Sequence, residues 1–142
     1  MSLRGLARGA LRVAGVVLMA LGVVHLIATP HIPHLLDAMP KKARDFAVGP
    51  TLLNHVLVGI LLMPLGFSTW LAADARHAGE SWARRVLTGN CLAVLTLPLA
   101  VIILMRAPQY YHAPLFLAGV GLTAVAALTM VLATWVVVSA KP

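Results

Sequence analysis

Four long stretches without a charged residue divide the chain, and their lengths predict membrane-spanning helices. No Asp, Glu, Lys or Arg occurs in residues 13–29, 51–73, 86–105 or 115–138. A helix rises about 1.5 Å per residue, so about 20 apolar residues cross the roughly 30 Å hydrocarbon core of a bilayer. The last three stretches have this length, and the first reaches it if its helix begins near Arg8. We therefore predict helices at about 9–29, 51–73, 86–105 and 115–138.

The type of span follows from the pattern within each stretch. The runs are continuously apolar and lack the alternation of a transmembrane β-strand. A span in lipid must also satisfy its own backbone hydrogen bonds, which a helix does. Short connections make sequential helices antiparallel neighbours. The predicted fold is therefore all-α, an integral membrane four-helix up-down bundle with short loops, forming a single transmembrane domain over residues 1–142.

The first span resembles a secretory signal peptide, because Arg4, Arg8 and Arg12 precede its apolar run. A cleaved signal carries small residues at positions −3 and −1 of the cleavage site. This run ends in Leu26-Ile27-Ala28-Thr29-Pro30, which offers no such site. We expect the first helix to be retained.

The longest connection, residues 30–50, is predicted to be an outer loop. It contains Pro33, Pro40 and Pro50, and proline breaks helix interiors because it lacks an N–H group and its ring clashes with the preceding turn. Residues 40–46 could form a short helix on the membrane surface, with Pro40 at its first position.

Composition excludes two broad classes of protein. Of the 142 residues, 61% are hydrophobic and 11% are charged. Soluble domains have about 45–50% apolar and about 25% charged residues, and disordered chains have low hydrophobicity. Neither class fits. The one cysteine, Cys91, excludes an internal disulfide and a zinc site built from cysteines.

The net charge of +7 sets orientation rather than indicating nucleic-acid binding. Seven basic residues fall on the side of the chain ends and the middle loop, and four fall on the other side. The positive-inside rule then places both termini in the cytoplasm. Trp70, Trp82 and Trp135 fall on that same side, as an interfacial belt. Charges divided across a bilayer do not form a nucleic-acid surface. We expect a multi-pass protein of the bacterial inner (plasma) membrane, because the compact chain begins with an arginine-led helix.

Small residues on two spans predict where helices approach closely. Lipid provides no hydrophobic drive between helices, so tight contact depends on small side chains. Gly15 and Gly22 lie seven residues apart on the first span, and Gly119, Thr123 and Ala127 follow one side of the last. These stripes could pack within the chain or against another subunit, and both alternatives stay open.

The polar inventory argues against several functions. The four acids, Asp37, Asp45, Asp74 and Glu80, all lie outside the predicted spans, whereas ion-coupled transporters use intramembrane carboxylates. No GxSxG, HExxH or P-loop motif occurs. We name no catalytic residue and do not expect an enzyme.

Two histidines are the polar residues most suggestive of a site. His25 lies four residues before Thr29, where the first span ends, and His55 lies four residues after Thr51, where the second begins. Four residues correspond to about 6 Å of helix, so both imidazoles lie at equal depth near the outer face. Their helices are consecutive, so we predict that the two rings are neighbours.

Several roles for this pair remain open. The imidazoles could ligate a haem b iron axially, or bind copper or zinc with the loop histidines or Met105 contributing. They could donate a ring N–H to a quinone or lipid carbonyl. They could also bind nothing, and instead bond to each other, to a helix carbonyl or to a headgroup. On the same side, Lys41, Lys42 and Arg44 form a small basic cluster that suits anionic lipid headgroups.

These observations favour an accessory or structural subunit of a larger membrane complex. Its partners would be membrane lipids together with other membrane subunits or further copies of the chain. The alternative is a haem-, metal- or quinone-binding membrane redox protein that uses His25 and His55 near the outer face.

Overall fold

A computed structural model describes residues 2–77, 80–104, 112 and 114–139 of the chain. The described residues form helices and turns, with no strand among them. The elements are α1 (Leu3–Ala28), a 3₁₀ turn (Thr29–His31), α2 (Ile32–Leu35), α3 (Lys41–His77), α4 (Ser81–Leu104) and α5 (Pro114–Ser139).

The predicted fold class is confirmed. Within the described part of the chain, four segments are long and apolar enough to cross a membrane: Leu3–Leu35, Lys41–Arg76, Ser81–Leu104 and Phe116–Val137. The protein is therefore an all-helical, multi-pass membrane bundle.

The four long helices run alternately up and down and form a closed ring of neighbours. Helix α1 packs mainly against α3 and α5, and α4 packs against the same two helices. The ion pair between Arg8 and Asp74 joins the start of α1 to the end of α3, with Nε and Oδ1 2.7 Å apart. We call this end of the bundle, where the start of α1 also lies beside the end of α5, the terminal end. The opposite end, with the turn between α2 and α3, is the tip end.

The prediction of a loop over residues 30–50 is wrong. A 3₁₀ turn and α2 continue α1 as far as Leu35, and α3 begins at Lys41 and passes through Pro50. The expected surface helix is thus the first part of α3, and Pro40 precedes its first residue. Pro50 has no N–H group, so α3 lacks one backbone hydrogen bond at this position. Helix α2 packs beside α3, and this contact supports the helix on both sides of Pro50.

The other helix ends differ from the predictions by a few residues. Helix α1 starts at Leu3 rather than near residue 9, because Ser2 caps it by accepting a hydrogen bond from the Gly5 N–H. Helix α3 runs on to His77, beyond the charge-free stretch. Hydropathy marks the part of a helix that suits lipid, whereas capping and packing decide where the helix ends.

The shared core of the four helices lies in the terminal half of the bundle. Its members nearest the tip end are Leu21, Leu62 and Ala126, at similar depth on α1, α3 and α5, and the last buried residue of α4 is Pro98. Closer to the tip end, α4 exposes its side chains, and Leu104 is 78% exposed. The bundle is therefore closed in its terminal half and open in its tip half.

Glycines bring α1 and α3 into backbone contact. A Cβ on Gly15 would lie 2.6 Å from the carbonyl oxygen of Gly66, and one on Gly22 would lie 2.7 Å from that of Gly59. The two glycines of each helix are seven residues apart, so both pairs meet along one antiparallel seam. The close approach predicted for Gly15 and Gly22 thus occurs within the chain.

Candidate functional site

His25 and His55 occupy positions that continue the core seams of their helices toward the tip end. His25 follows Leu11 and Leu18 at intervals of seven residues, and both leucines are fully buried. His55 precedes Leu62, which is 2% exposed, by the same interval. Residues seven apart lie on nearly the same helix face. The two imidazoles therefore lie where the core would continue, about 6 Å beyond Leu21 on α1 and about 10 Å beyond Leu62 on α3.

The glycine seam brings the two imidazoles together. Gly22 and Gly59 meet one helical turn below the histidines, so α1 and α3 are close at this level. The ring centroids of His25 and His55 lie 4.7 Å apart, with an angle of 33° between the ring planes. Both side chains are half-buried. The prediction that the rings are neighbours is confirmed.

The Nδ1 atoms of both rings are engaged by helix α1 and its extension. His25 Nδ1 lies 2.9 Å from the carbonyl oxygen of Leu21, which can only accept, so this nitrogen carries the proton. The Thr29 hydroxyl donates to the carbonyl of His25 at 2.8 Å and lies 3.1 Å from His55 Nδ1. With the Thr29 proton on the His25 carbonyl, His55 Nδ1 is assigned as the donor to Thr29 Oγ1. The hydrogen-bond pattern thus assigns the Nδ1–H tautomer to both rings.

This pattern leaves an unshared electron pair on each Nε2 atom. Neither Nε2 has a hydrogen-bond partner among the residues that the structure describes, and neither atom is fully enclosed. The site can therefore accept a metal ion or a hydroxyl proton through Nε2. With this assignment both ring N–H groups are used within the protein, so a quinone or lipid carbonyl would have to replace one of these hydrogen bonds.

A haem ligated by both histidines does not fit this geometry. Imidazoles on opposite sides of one iron would place their centroids roughly 6 Å apart, since each nitrogen lies about 2 Å from the metal and each centroid about 1 Å further. The observed separation is 4.7 Å. The backbone contact between Gly22 and Gly59 also leaves no width for a macrocycle between α1 and α3 at the adjacent turn.

The remaining proposed metal ligand, Met105, lies outside the described residues. Within the described ranges, no three His, Cys, Asp or Glu side chains are grouped so that they could hold a metal ion. The chain's described contribution to a metal site is thus the histidine pair alone.

The small residues predicted on the last span take different positions. Ala127 is fully buried in the core. Gly119 faces open space, and its carbonyl accepts a hydrogen bond from the Thr123 hydroxyl at 2.8 Å. The predicted stripe is therefore divided between core and exterior. The main close contact between helices is made on α3 instead, by Gly59 and Gly66, which were not predicted. Their spacing of seven residues, the same as that of Gly15 and Gly22, is the feature of the sequence that indicates it.

Carboxylates pair with two of the three residues of the predicted basic cluster. Lys41 Nζ lies 2.6 Å from Asp45 Oδ2, and Arg44 Nη1 lies 2.8 Å from Asp37 Oδ1. Lys42 is exposed beside them. These pairs reduce the net positive charge that the cluster presents to anionic headgroups.

A buried polar cluster links α3 to α4 in the terminal half and was not foreseen from the sequence. The amide nitrogen of Asn90 donates to Ser68 Oγ at 2.8 Å and to Thr69 Oγ1 at 2.9 Å. Both hydroxyls in turn donate to the Leu65 carbonyl. The Asn90 amide nitrogen and both hydroxyls are thus bonded within the cluster, which links α3 to α4.

Comparisons of the chain with protein-family models, with curated proteins and with solved structures gave no match.

Proposed function

We propose that this protein is a non-catalytic accessory subunit of a larger membrane complex. The proposal is carried by the contrast between the closed terminal half of the bundle and its open tip half. Among the described residues, neither α4 past Pro98 nor α5 on the tip side of Ala126 adds a fully buried side chain to the shared core. A helix of another subunit could complete the packing at this level.

Helix α4 presents a surface that such a helix could follow from the terminal half into the tip half. Gly89, Ala93, Thr96 and Ala100 recur at intervals of four, three and four residues, the spacing of one helix face. Ala93 is half-buried and the other three are exposed, and a Cβ on Gly89 would meet nothing within 4 Å. Small residues allow helix backbones to approach in lipid. We call this surface the α4 small-residue face.

Site-specific photo-crosslinking in membranes tests this proposal. We expect a photoreactive residue at Ala100 to give a discrete crosslinked protein product. Val24 is a matched control, because it lies at similar depth and is lipid-facing on α1, being 57% exposed. We expect only lipid adducts there. A product of twice the chain mass would identify the partner as a second copy. Lipid adducts alone at both positions would contradict the proposed role.

We also propose that the protein lies in a bacterial inner membrane with its termini in the cytoplasm. Support comes from the seven-to-four division of basic residues and from Trp82 and Trp135, which are exposed at the terminal end. Cysteines at Lys42 and at Arg84, in a Cys91→Ser background, test the orientation. The Lys42 position should react with an impermeant thiol reagent in intact cells, and Arg84 only after lysis. The reverse pattern would invert the topology.

A further inference from the structure

The Nε2 atoms of His25 and His55 form a second chemical feature of the tip half, independent of the accessory role. Each nitrogen has a free electron pair, because each ring proton is held on Nδ1. Two neutral imidazoles on neighbouring helices can donate both pairs to one acceptor. Whether they suit a metal ion depends on their separation and on the groups that orient them.

The separation fits two adjacent ligands of a single metal ion. Nitrogen lies about 2.0–2.1 Å from zinc, and ligand angles of about 90–110° are typical of square-planar and tetrahedral sites. These values place two imidazole centroids roughly 4.5–5 Å apart. The observed centroid distance of 4.7 Å lies in this range. The distance of roughly 6 Å that two ligands on opposite sides of a metal would require does not.

The hydrogen bonds at Nδ1 are those that orient ligating histidines in metal sites. A metal-bound histidine commonly donates its other ring N–H to a carbonyl, carboxylate or water, which fixes the tautomer and the ring direction. Here His25 donates to the Leu21 carbonyl, and His55 donates to a Thr29 hydroxyl that is itself bound to the His25 carbonyl. One short segment, residues 21–29, therefore orients both rings.

We propose that His25 and His55 bind one copper or zinc ion through their Nε2 atoms, with the remaining coordination positions open to water or an added ligand. Imidazole nitrogen is a good ligand for both metals, and divalent copper binds such sites most strongly among first-row ions. A hydroxyl-bearing ligand such as a quinol could also donate a hydrogen bond to one Nε2. It would need a single imidazole, whereas the structure places two imidazoles at a separation that suits one metal ion.

Copper titration of the purified full chain in detergent micelles tests the site. We expect one Cu²⁺ ion per chain and an electron paramagnetic resonance signal with nitrogen coupling from two imidazoles. His25→Gln and His55→Gln should each abolish stoichiometric binding. The matched control replaces the tip-end histidines His31, His34 and His112 with Gln and should bind as the unmodified chain does. Absence of binding, or binding lost only in the control, would overturn the proposal.

Substitution of Thr29 separates a metal site from a merely structural histidine pair. Thr29→Val removes the hydroxyl that orients His55 without removing a ligand, and we expect about 10–100-fold weaker copper binding. Thr29→Ser should retain the affinity. Thr51→Val is the matched control, because the Thr51 hydroxyl makes the same type of bond within its own helix, to the Ala47 carbonyl, and is not bonded to either histidine. Equal weakening by Thr51→Val, or none by Thr29→Val, would overturn the role of Thr29 and the orientation that the proposal requires. Circular dichroism checks that each variant retains its helices.

Discussion

The helix pair α1–α3 and the helix pair α4–α5 are held together in different ways. Helices α1 and α3 meet backbone to backbone at Gly15–Gly66 and Gly22–Gly59 and stay together toward the tip end. Helices α4 and α5 meet through side chains, for example where Cys91 Sγ lies 3.3 Å from Thr134 Oγ1. They contribute to the core only in the terminal half.

This difference shows how a membrane bundle can hold one site firmly while leaving a surface open. Between helices in lipid, association depends on close packing and interhelical hydrogen bonds. The glycine seam of α1 and α3 provides such packing next to the histidines. Without a comparable seam near their tip ends, α4 and α5 leave that half of the bundle accessible.

The largest expected effect comes from enlarging the glycine seam. Gly22→Leu places a side chain against the Gly59 carbonyl and Met63, and backbone atoms there cannot move aside without separating the helices. We expect a loss of about 3 kcal/mol in the free energy of unfolding, the upper part of the range for overpacking. Reversible unfolding in mixed detergent micelles measures it. Gly119→Leu, on an open surface, should leave stability unchanged; a similar loss there would remove the distinction between the two pairs.

A smaller effect is expected from truncating the α4–α5 side. Met130 is fully buried in α5, and Met130→Ala leaves a cavity that the neighbouring helices only partly fill. We expect a loss of about 2 kcal/mol, near the lower end of the range for such truncations, since lipid contributes little transfer free energy. The same unfolding assay applies. Leu128→Ala, at a side chain that is 58% exposed, is the control and should change stability little. Equal losses at both positions would show that the stability contributed by a side chain on α5 does not depend on its burial.

The smallest effect is expected at the polar link between the two pairs. Asn90→Leu removes hydrogen bonds to Ser68 and Thr69, yet both hydroxyls keep their bond to the Leu65 carbonyl. No buried donor is left without a partner, so we expect a loss of only about 0.6 kcal/mol, the average for interhelical hydrogen bonds in membranes. Thr96→Val, which removes an exposed hydroxyl bonded within its own helix, is the control. A loss above that of Met130→Ala would make this link, rather than packing, the main connection between the pairs.

Much of the fold could be predicted because a helix that crosses the apolar core of a membrane must itself be apolar, and such segments are visible in the sequence. Charge-free stretches of about 20 residues identify the spans, and short connections give their alternation. The proximity of His25 and His55 was also predictable, since equal distance from two span ends gives equal depth on consecutive helices. The extent of α3 was not, because contact with α2 supports helical structure around Pro50.

The details of the site could not be read from the sequence. Thr29 appeared only as the end of a span, and its link between the two histidines depends on a helical turn that continues past it. The choice between Nδ1 and Nε2 depends on which carbonyls and hydroxyls face each ring. Helix rotation and register decide this, and residue types alone do not.

Hydropathy and spacing along the chain identify a four-span membrane protein with paired imidazoles at one depth, because the cost of burying charge and unpaired backbone in lipid acts on each segment separately. Which glycines meet, which ring nitrogens stay free and which half of the bundle is open become visible when the helices are packed together. Those properties depend on contacts between helices, and in lipid such contacts are selected by shape and hydrogen bonding rather than by hydropathy.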